Sequence, residues 1–210
     1  MRVERAASKV QTLGMVGTKW DFFVAAINLF SARGYSSVSI RDIAKMLNIK
    51  AASMYNHFEN KDALLQQIYE FCRVNHEVAL PDLDGLMELI PTTPPREILK
   101  KFSLPFVGKA KKIMPKTMQI VLDEMDRDER AAKLVKEIFV EVPNRYVRAM
   151  LVRMIELDVI EPMDIDAFLT LRASFNIYAV HTARSKYAIS QEDWLAGHEL
   201  LLGLVKPKKK

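Results

Sequence analysis

Apolar side chains recur every three or four positions along most of this chain, which is the spacing of amphipathic helices and not of strands. Trp20, Phe23, Val24, Ile27 and Phe30 form the first stripe. They predict a helix that starts at Thr18 as N-cap and is stopped by Gly34 in a left-handed conformation. Ser39 and Asp42 make a capping-box-like pair, with the shorter Asp in place of Glu. Ile40, Ile43, Ala44 and Leu47 then line one face of a second helix. Asn48-Ile49-Lys50 is a tight turn, and asparagine tolerates the left-handed geometry such a turn needs. In the next stretch, AASMYNHF over 51–58, only Met54 and Phe58 are core-like, four residues apart. The rest are small (Ala51, Ala52, Ser53) or hydrogen-bonding (Tyr55, Asn56, His57). A helix this short cannot stand alone, because nucleation costs more than a few hydrogen bonds return. Asn60 is a good N-cap for a fourth helix, whose apolar face carries Leu64, Leu65, Ile68, Phe71, Cys72 and Val78.

Beyond residue 79 a proline-rich connector over 80–95 holds at most a short helical turn near 86–90. Helical patterning resumes over 96–112, where Pro105 should kink or split the segment. It continues over 115–125, over 129–157 with a bend expected at Pro143, over 164–187 and over 191–205. The expected fold is all-α, with about nine helices. An N-terminal three-helix helix-turn-helix domain is joined by a long fourth helix to a larger C-terminal helical bundle. The implied organisation is a flexible arm over 1–17, bearing Arg2, Arg5 and Lys9, then a helix-turn-helix domain over 18–65, a larger helical domain over 66–206, and a basic tail over 207–210.

Composition narrows this picture. Of 210 residues half are hydrophobic and 27% charged, ordinary for a globular chain, and only 7 are glycine, which suits helices. The one cysteine, Cys72, rules out a disulfide framework and fits a reducing compartment. No stretch approaches the length of a membrane-spanning helix, so a cytoplasmic location is expected. The first 62 residues carry nine basic and five acidic side chains, while the remainder is nearly balanced. The basic excess therefore sits with the 51–58 stretch.

Helix, Gly-Tyr, helix, three-residue turn and short helix form a helix-turn-helix within a three-helix unit. From about Trp20 to Leu65 the sequence resembles the DNA-binding domain of TetR-type transcriptional regulators. The resemblance rests on Phe30, Gly34 and Tyr35; Ile43-Ala44; Met54-Tyr55 and Phe58; and Asn60-Lys61-Asp62 with Leu64. A slim contact face is what the major groove admits, so Ala51, Ala52 and Ser53 suit base edges. The resemblance implies phosphate contacts by Tyr55 and Lys61, and base or backbone contacts by Ser39 and Arg41. Lys50, Asn56 and His57 are further candidates. Tyr55 as half-buried core and His57 as a packing or capping group stay open. Lys50 and Ala51-Ala52 depart from the residues common in relatives, so no operator sequence can be borrowed. Specific binding typically takes two half-sites about 34–36 Å apart, which implies a two-fold homodimer on a palindromic operator.

In the C-terminal half only architecture carries over. The resemblance implies a pocket for a small, mostly apolar effector, with Phe102, Phe106, Met114, Met118, Phe139, Tyr146, Met150, Phe175, Asn176 and Tyr178 as candidates. Arg145 and His181 are weaker polar candidates. Methionine suits adaptable cavities, but ordinary core packing explains these residues too. The last two long helices are the expected dimer interface, with Phe168, Arg172, Phe175, Ala179, Trp194, Leu201 and Val205 as candidates against plain intrachain packing. The implied activity is a regulator, expected to act as a repressor, released by its effector. The alternative is a DNA-binding member with a nucleoid or cell-division role that recruits a protein and has no small-molecule ligand. Four scattered histidines and the absence of HExxH, paired-cysteine and nucleophile-elbow patterns argue against an enzyme. No catalytic residue, metal site or cofactor is expected. The acidic cluster Asp123, Glu124, Asp126, Asp128 and Glu129 reads as a solvated turn.

Overall fold

The computed structural model describes residues 13–103, 113–182 and 190–208. The basic arm, Pro105, Phe106 and the end of the tail lie outside them. The helices are α1 (Gly17–Arg33), α2 (Ile40–Met46), a 3-10 helix (Ala51–Asn56), α3 (Lys61–Ala79), α4 (Leu83–Leu89), α5 (Pro95–Ser103), α6 (Ile113–Glu124), α7 (Glu129–Lys136), a π-helical turn (Glu137–Glu141), α8 (Val142–Glu156), α9 (Ile165–Thr182) and α10 (Gln191–Leu202). No strand occurs among the described residues, only an isolated bridge between Ile160 and Pro207. The all-α expectation holds.

The chain divides into two compact units, Met1–Ala79 with Gly108–Val135, and Leu80–Val107 with Lys136–Lys210. This partition is discontinuous in sequence, unlike the expected boundary after residue 65. In the first unit α6 lies against α1 and α3. Lys116 donates to the Asn28 side chain (2.7 Å) and Gln119 to the Ser31 carbonyl (3.1 Å). With α6 present, α1 buries more than its expected stripe: Phe22, Ala25, Ala26 and Leu29 are buried along with Phe23, Ile27 and Phe30. Phe23 stacks on Trp20 (5.5 Å between centroids) and meets Phe71 at 5.1 Å. Each such fully buried ring contributes roughly 1.5–3 kcal/mol.

Local signals set most boundaries. Gly34 takes φ +80° and its N–H donates to the Phe30 carbonyl (2.8 Å). Ser39 and Asp42 form the full capping box. Asn48 sits at φ +55°, and the Asn60 side chain accepts from the Ala63 N–H at 2.7 Å. One boundary differs: α1 begins at Gly17 after Val16, which offers no side-chain cap, so Thr18 lies inside the helix. The segment expected as one helix over 129–157 is divided near Pro143: a π-helical turn lies just upstream, with proline in the first turn of α8. Proline lacks an N–H and its ring crowds the carbonyl four residues back, which a wider turn relieves.

The core of the second unit gathers Leu86, Ile90, Ile98, Leu99, Phe102, Val147, Met150, Leu151, Met154, Phe168, Leu169 and Val205. Phe102 stacks on Tyr146 at 5.2 Å.

Candidate functional site

The stretch 51–56 is a 3-10 helix, not the short α-helix that its sequence suggests. In 3-10 geometry residues three apart eclipse. Met54 (0% exposed) and Phe58 (6%) are buried as expected, anchoring the segment to its unit. Tyr55 is 59% exposed, which removes the half-buried alternative. Ala52 and Asn56 are exposed beside it, and Ala51 and Ser53 are half-buried. Arg41, Lys45 and Lys50 are exposed around this nose. Lys50 precedes the 3-10 helix without a side-chain cap bond, so its ammonium has no capping duty. The His57 ring lies 6.0 Å from Phe22 and is half-buried, in keeping with the packing alternative.

Two expected contact residues have intramolecular partners. The Ser39 hydroxyl accepts from the Asp42 N–H (3.2 Å) and bonds its carboxylate (2.6 Å). That bond holds the Asp42 carboxyl below the usual range. The Lys61 ammonium donates to the carbonyls of Tyr35 (2.8 Å) and Val38 (2.7 Å) and lies 4.1 Å from the Tyr35 ring centroid. Burial lowers its pKa. Lys61 therefore pins the 35–38 connection between α1 and α2 to the start of α3.

Sequence reasoning missed a polar network in the same unit. Arg130 makes a bidentate pair with Asp62 (2.6 and 2.8 Å) and also bonds Asp128 (2.7 Å). Tyr69 donates to Asp128 at 3.3 Å. These bonds hold both aspartates below the ordinary carboxylate range, and desolvation beside Asp128 pushes the Tyr69 phenol up. The reading of 123–129 as a solvated turn is thus corrected: Asp128 is engaged, and Glu124 is buried. Asp62 and Arg130 are 68 positions apart, so no local pattern could reveal the pair. Cys72 is buried and its thiol is pushed up to about 12, which makes it inert packing. No group of side chains suited to a metal ion occurs among the described residues.

The residues expected to line an effector pocket are divided between the two units. Met114 and Met118 lie on α6 in the first unit, whereas Phe102, Phe139, Tyr146, Met150, Phe175, Asn176 and Tyr178 belong to the second. Phe102 and Met150 are fully packed core, and Tyr178 is 52% exposed. Arg145 and His181 are exposed, and Phe106 lies outside the described residues. The interface expectation also changes. Phe168, Leu201 and Val205 are buried within a single chain, as is Arg172, so they face inward and not toward a partner. Phe175, Ala179 and Trp194 are half-buried. The outward apolar residues of this region are Leu171, Ile177, Tyr178, Leu200 and Leu204. An open depression of about 250 Å³ lies in the first unit between Trp20, Val24 and Asn28 of α1 and Met46 and Leu47.

A three-helix unit with an exposed, slender third element on two supporting helices defines a helix-turn-helix protein. Residues 22–68 match the family of bacterial regulatory proteins described as the tetR family. The match is confined to this helix-turn-helix domain, which resembles that of the TetR-family regulators. It is 47% identical over 47 residues to the biofilm operon icaADBC HTH-type negative transcriptional regulator IcaR of Staphylococcus aureus, and 45% identical to IcaR of Staphylococcus epidermidis. Each match covers 22% of this chain and 25% of the relative's length. The fold of the whole chain is similar to the ketosteroid transcriptional regulator KstR2 of Mycobacterium tuberculosis (TM-score 0.59, 20% identity, 95% of this chain and 100% of that one). It also resembles the TetR-family regulator PfmR of Thermus thermophilus (0.62, 21%, 90% and 97%). A third similar structure is a regulator from Saccharomonospora viridis in complex with choline (0.59, 20%, 91% and 98%). No helix among the described residues is long and apolar enough to cross a membrane.

Proposed function

We propose that this chain is a cytoplasmic transcriptional repressor that binds a palindromic DNA operator as a homodimer and is released by a small-molecule effector. One observation carries the DNA-binding part: a 3-10 nose with Met54 and Phe58 buried, Ala52, Tyr55 and Asn56 outward, and Arg41, Lys45 and Lys50 exposed around it. Small residues let the backbone approach the groove floor, and the cations meet the flanking phosphates. Ala51, Ala52 and Ser53 face base edges, while Arg41, Lys50, Tyr55 and Asn56 contact the backbone or neighbouring bases. His57 supports the nose from Phe22. Ser39 and Lys61 act at one remove, by capping α2 and by pinning the 35–38 connection. The repressor assignment draws on the negative regulation named for IcaR, and the effector on the choline complex of a similar fold.

The dimer reading is supported by outward apolar residues on α9 and around α10, where Leu200 is 77% exposed and Leu171 and Tyr178 about half. Burying them against a second copy removes apolar area from water, and two copies supply the two half-sites that specific affinity requires.

Fluorescence anisotropy with duplexes selected from genomic fragments tests the proposal. Wild-type protein should bind a selected palindrome with a steep salt dependence, and Arg41→Ala with Tyr55→Ala should weaken binding to every duplex and flatten the slope by about two counterions. A folded wild-type protein that ignores all duplexes at low salt overturns the reading. Sedimentation velocity on Leu200→Glu should show a monomer; an unchanged dimer moves the interface elsewhere.

A further inference from the structure

The inward stripe of α9 runs Phe168, Leu169, Arg172, then Phe175 and Asn176, at three- and four-residue spacing. Its aromatic and aliphatic members suit a bundle interior, but a guanidinium does not. Arg172 is only 6% exposed. A terminal nitrogen donates to the Asn144 amide oxygen of α8 at 2.6 Å, and its Nε is buried with no partner among the described residues. No carboxylate among the described residues pairs with it. From α10, His198 is 7% exposed, with its ring 5.1 Å from Trp194. Gly197 beside it has no side chain because the Phe175 ring occupies that space: a Cβ there would come within 2.5 Å of the ring.

A buried charge without a counter-ion costs several kcal/mol, and buried polar groups almost always find partners. Here a cation and an amide from two helices meet with a donor left over, and the imidazole of a third helix is near enough to feel the charge of Arg172. We propose that Arg172, Asn144 and His198 form a binding subsite for the carboxylate of a small organic acid, the effector of the regulator proposed above. The proposal rests on that reading for its biological meaning, not for the site itself. Arg172 shares its helix face with Phe168 and Leu169, whereas Leu171 and Tyr178 point outward, so an interior ligand fits the missing charge better than a partner subunit's side chain. Burial pushes the guanidinium down only to about 10, so it stays charged at neutral pH. Burial and the neighbouring Arg172 lower the His198 pKa, so the imidazole is neutral there. A single positive charge matches a monoanionic carboxylate, not a phosphate dianion.

Thermal melts and calorimetric titration of the full chain in chloride-free buffer test this with hexanoate and benzoate, against hexanamide, benzamide and inorganic phosphate. Saturable stabilisation by at least one carboxylate, absent with its amide, is expected. Arg172→Met should weaken that binding at least about thirtyfold while melting no lower than wild type without ligand. Arg172→Lys, which keeps the charge but not the fork, should bind with intermediate affinity. No saturable carboxylate response, an equal response to the amides, tighter binding of phosphate, or an undiminished response in a folded Arg172→Met protein would overturn the site. None of these measurements contains DNA, so their failure overturns the subsite alone, and failure to bind any duplex overturns the regulator reading alone.

Discussion

In each unit of the molecule a long cation is drawn in from water, Lys61 in the first and Arg172 in the second, and the two are satisfied differently. In the first unit Lys61 meets two carbonyl oxygens and the face of Tyr35. All of these are local structural groups, and the result is a fastener between the start of α3 and the 35–38 connection. In the second unit Arg172 meets one amide oxygen and keeps an unpartnered Nε. A lysine so placed stabilises the fold. An arginine so placed destabilises it until an anion arrives. Structures keep such local violations where function compensates for them.

The contrast can be broken or sharpened by experiment. Lys61→Met should cost the most, about 2–4 kcal/mol in denaturant unfolding, because it removes two charge-assisted bonds; an unchanged midpoint would show that Lys61 is no fastener. Arg172→Met, without ligand, should cost nothing. Next is His76 in α3, which burial lowers to about 4 from 6.5. The folded state prefers the neutral ring, so the unfolded chain takes up the proton first as pH falls. Stability is therefore full above about pH 6.5 and is lost down to about pH 4. His76→Gln should remove about 2 kcal/mol of that acid loss; a pH profile parallel to wild type would rule out the histidine. Ser39→Ala should cost about 1 kcal/mol through the lost cap, with Ser39→Asn recovering most of it, as thermal melts would show. Arg130→Gln should cost about 0–1 kcal/mol at pH 7, because the Arg130–Asp62 pair is largely exposed. The Asp62 and Asp128 pKa values are lowered, so their contribution is present above about pH 4 and lost as pH falls further. The gap between Arg130→Gln and wild type should close in acid; a gap that persists would point to packing.

Much of the first unit was legible from its residues. Gly34, the Ser39–Asp42 box, Asn48 and Asn60 act within four positions of themselves, and each is found where local chemistry puts it. The burial of Met54 and Phe58 followed from their spacing and from the instability of a lone short helix. Tyr55 showed the limit of that approach, since a tyrosine fits core and surface equally until its exposure is measured. In the second unit periodicity located α8, α9 and α10 but could not sort their faces. Phe168, Leu171, Leu201 and Leu204 are all apolar, and only tertiary packing turned two inward and two outward.

By itself the sequence determined that the chain is helical, where most helices start and stop, and which family its first domain resembles. Those properties depend on contacts within one or two turns. Tertiary structure alone decided that Lys61 points into its own unit, that Arg130 meets Asp62 across 68 positions, that α6 covers α1, and that Arg172 is buried without a counter-charge. Each of these depends on which distant groups share a small volume, and burial raises the strength of a charge's interactions and the cost of leaving it unpaired together.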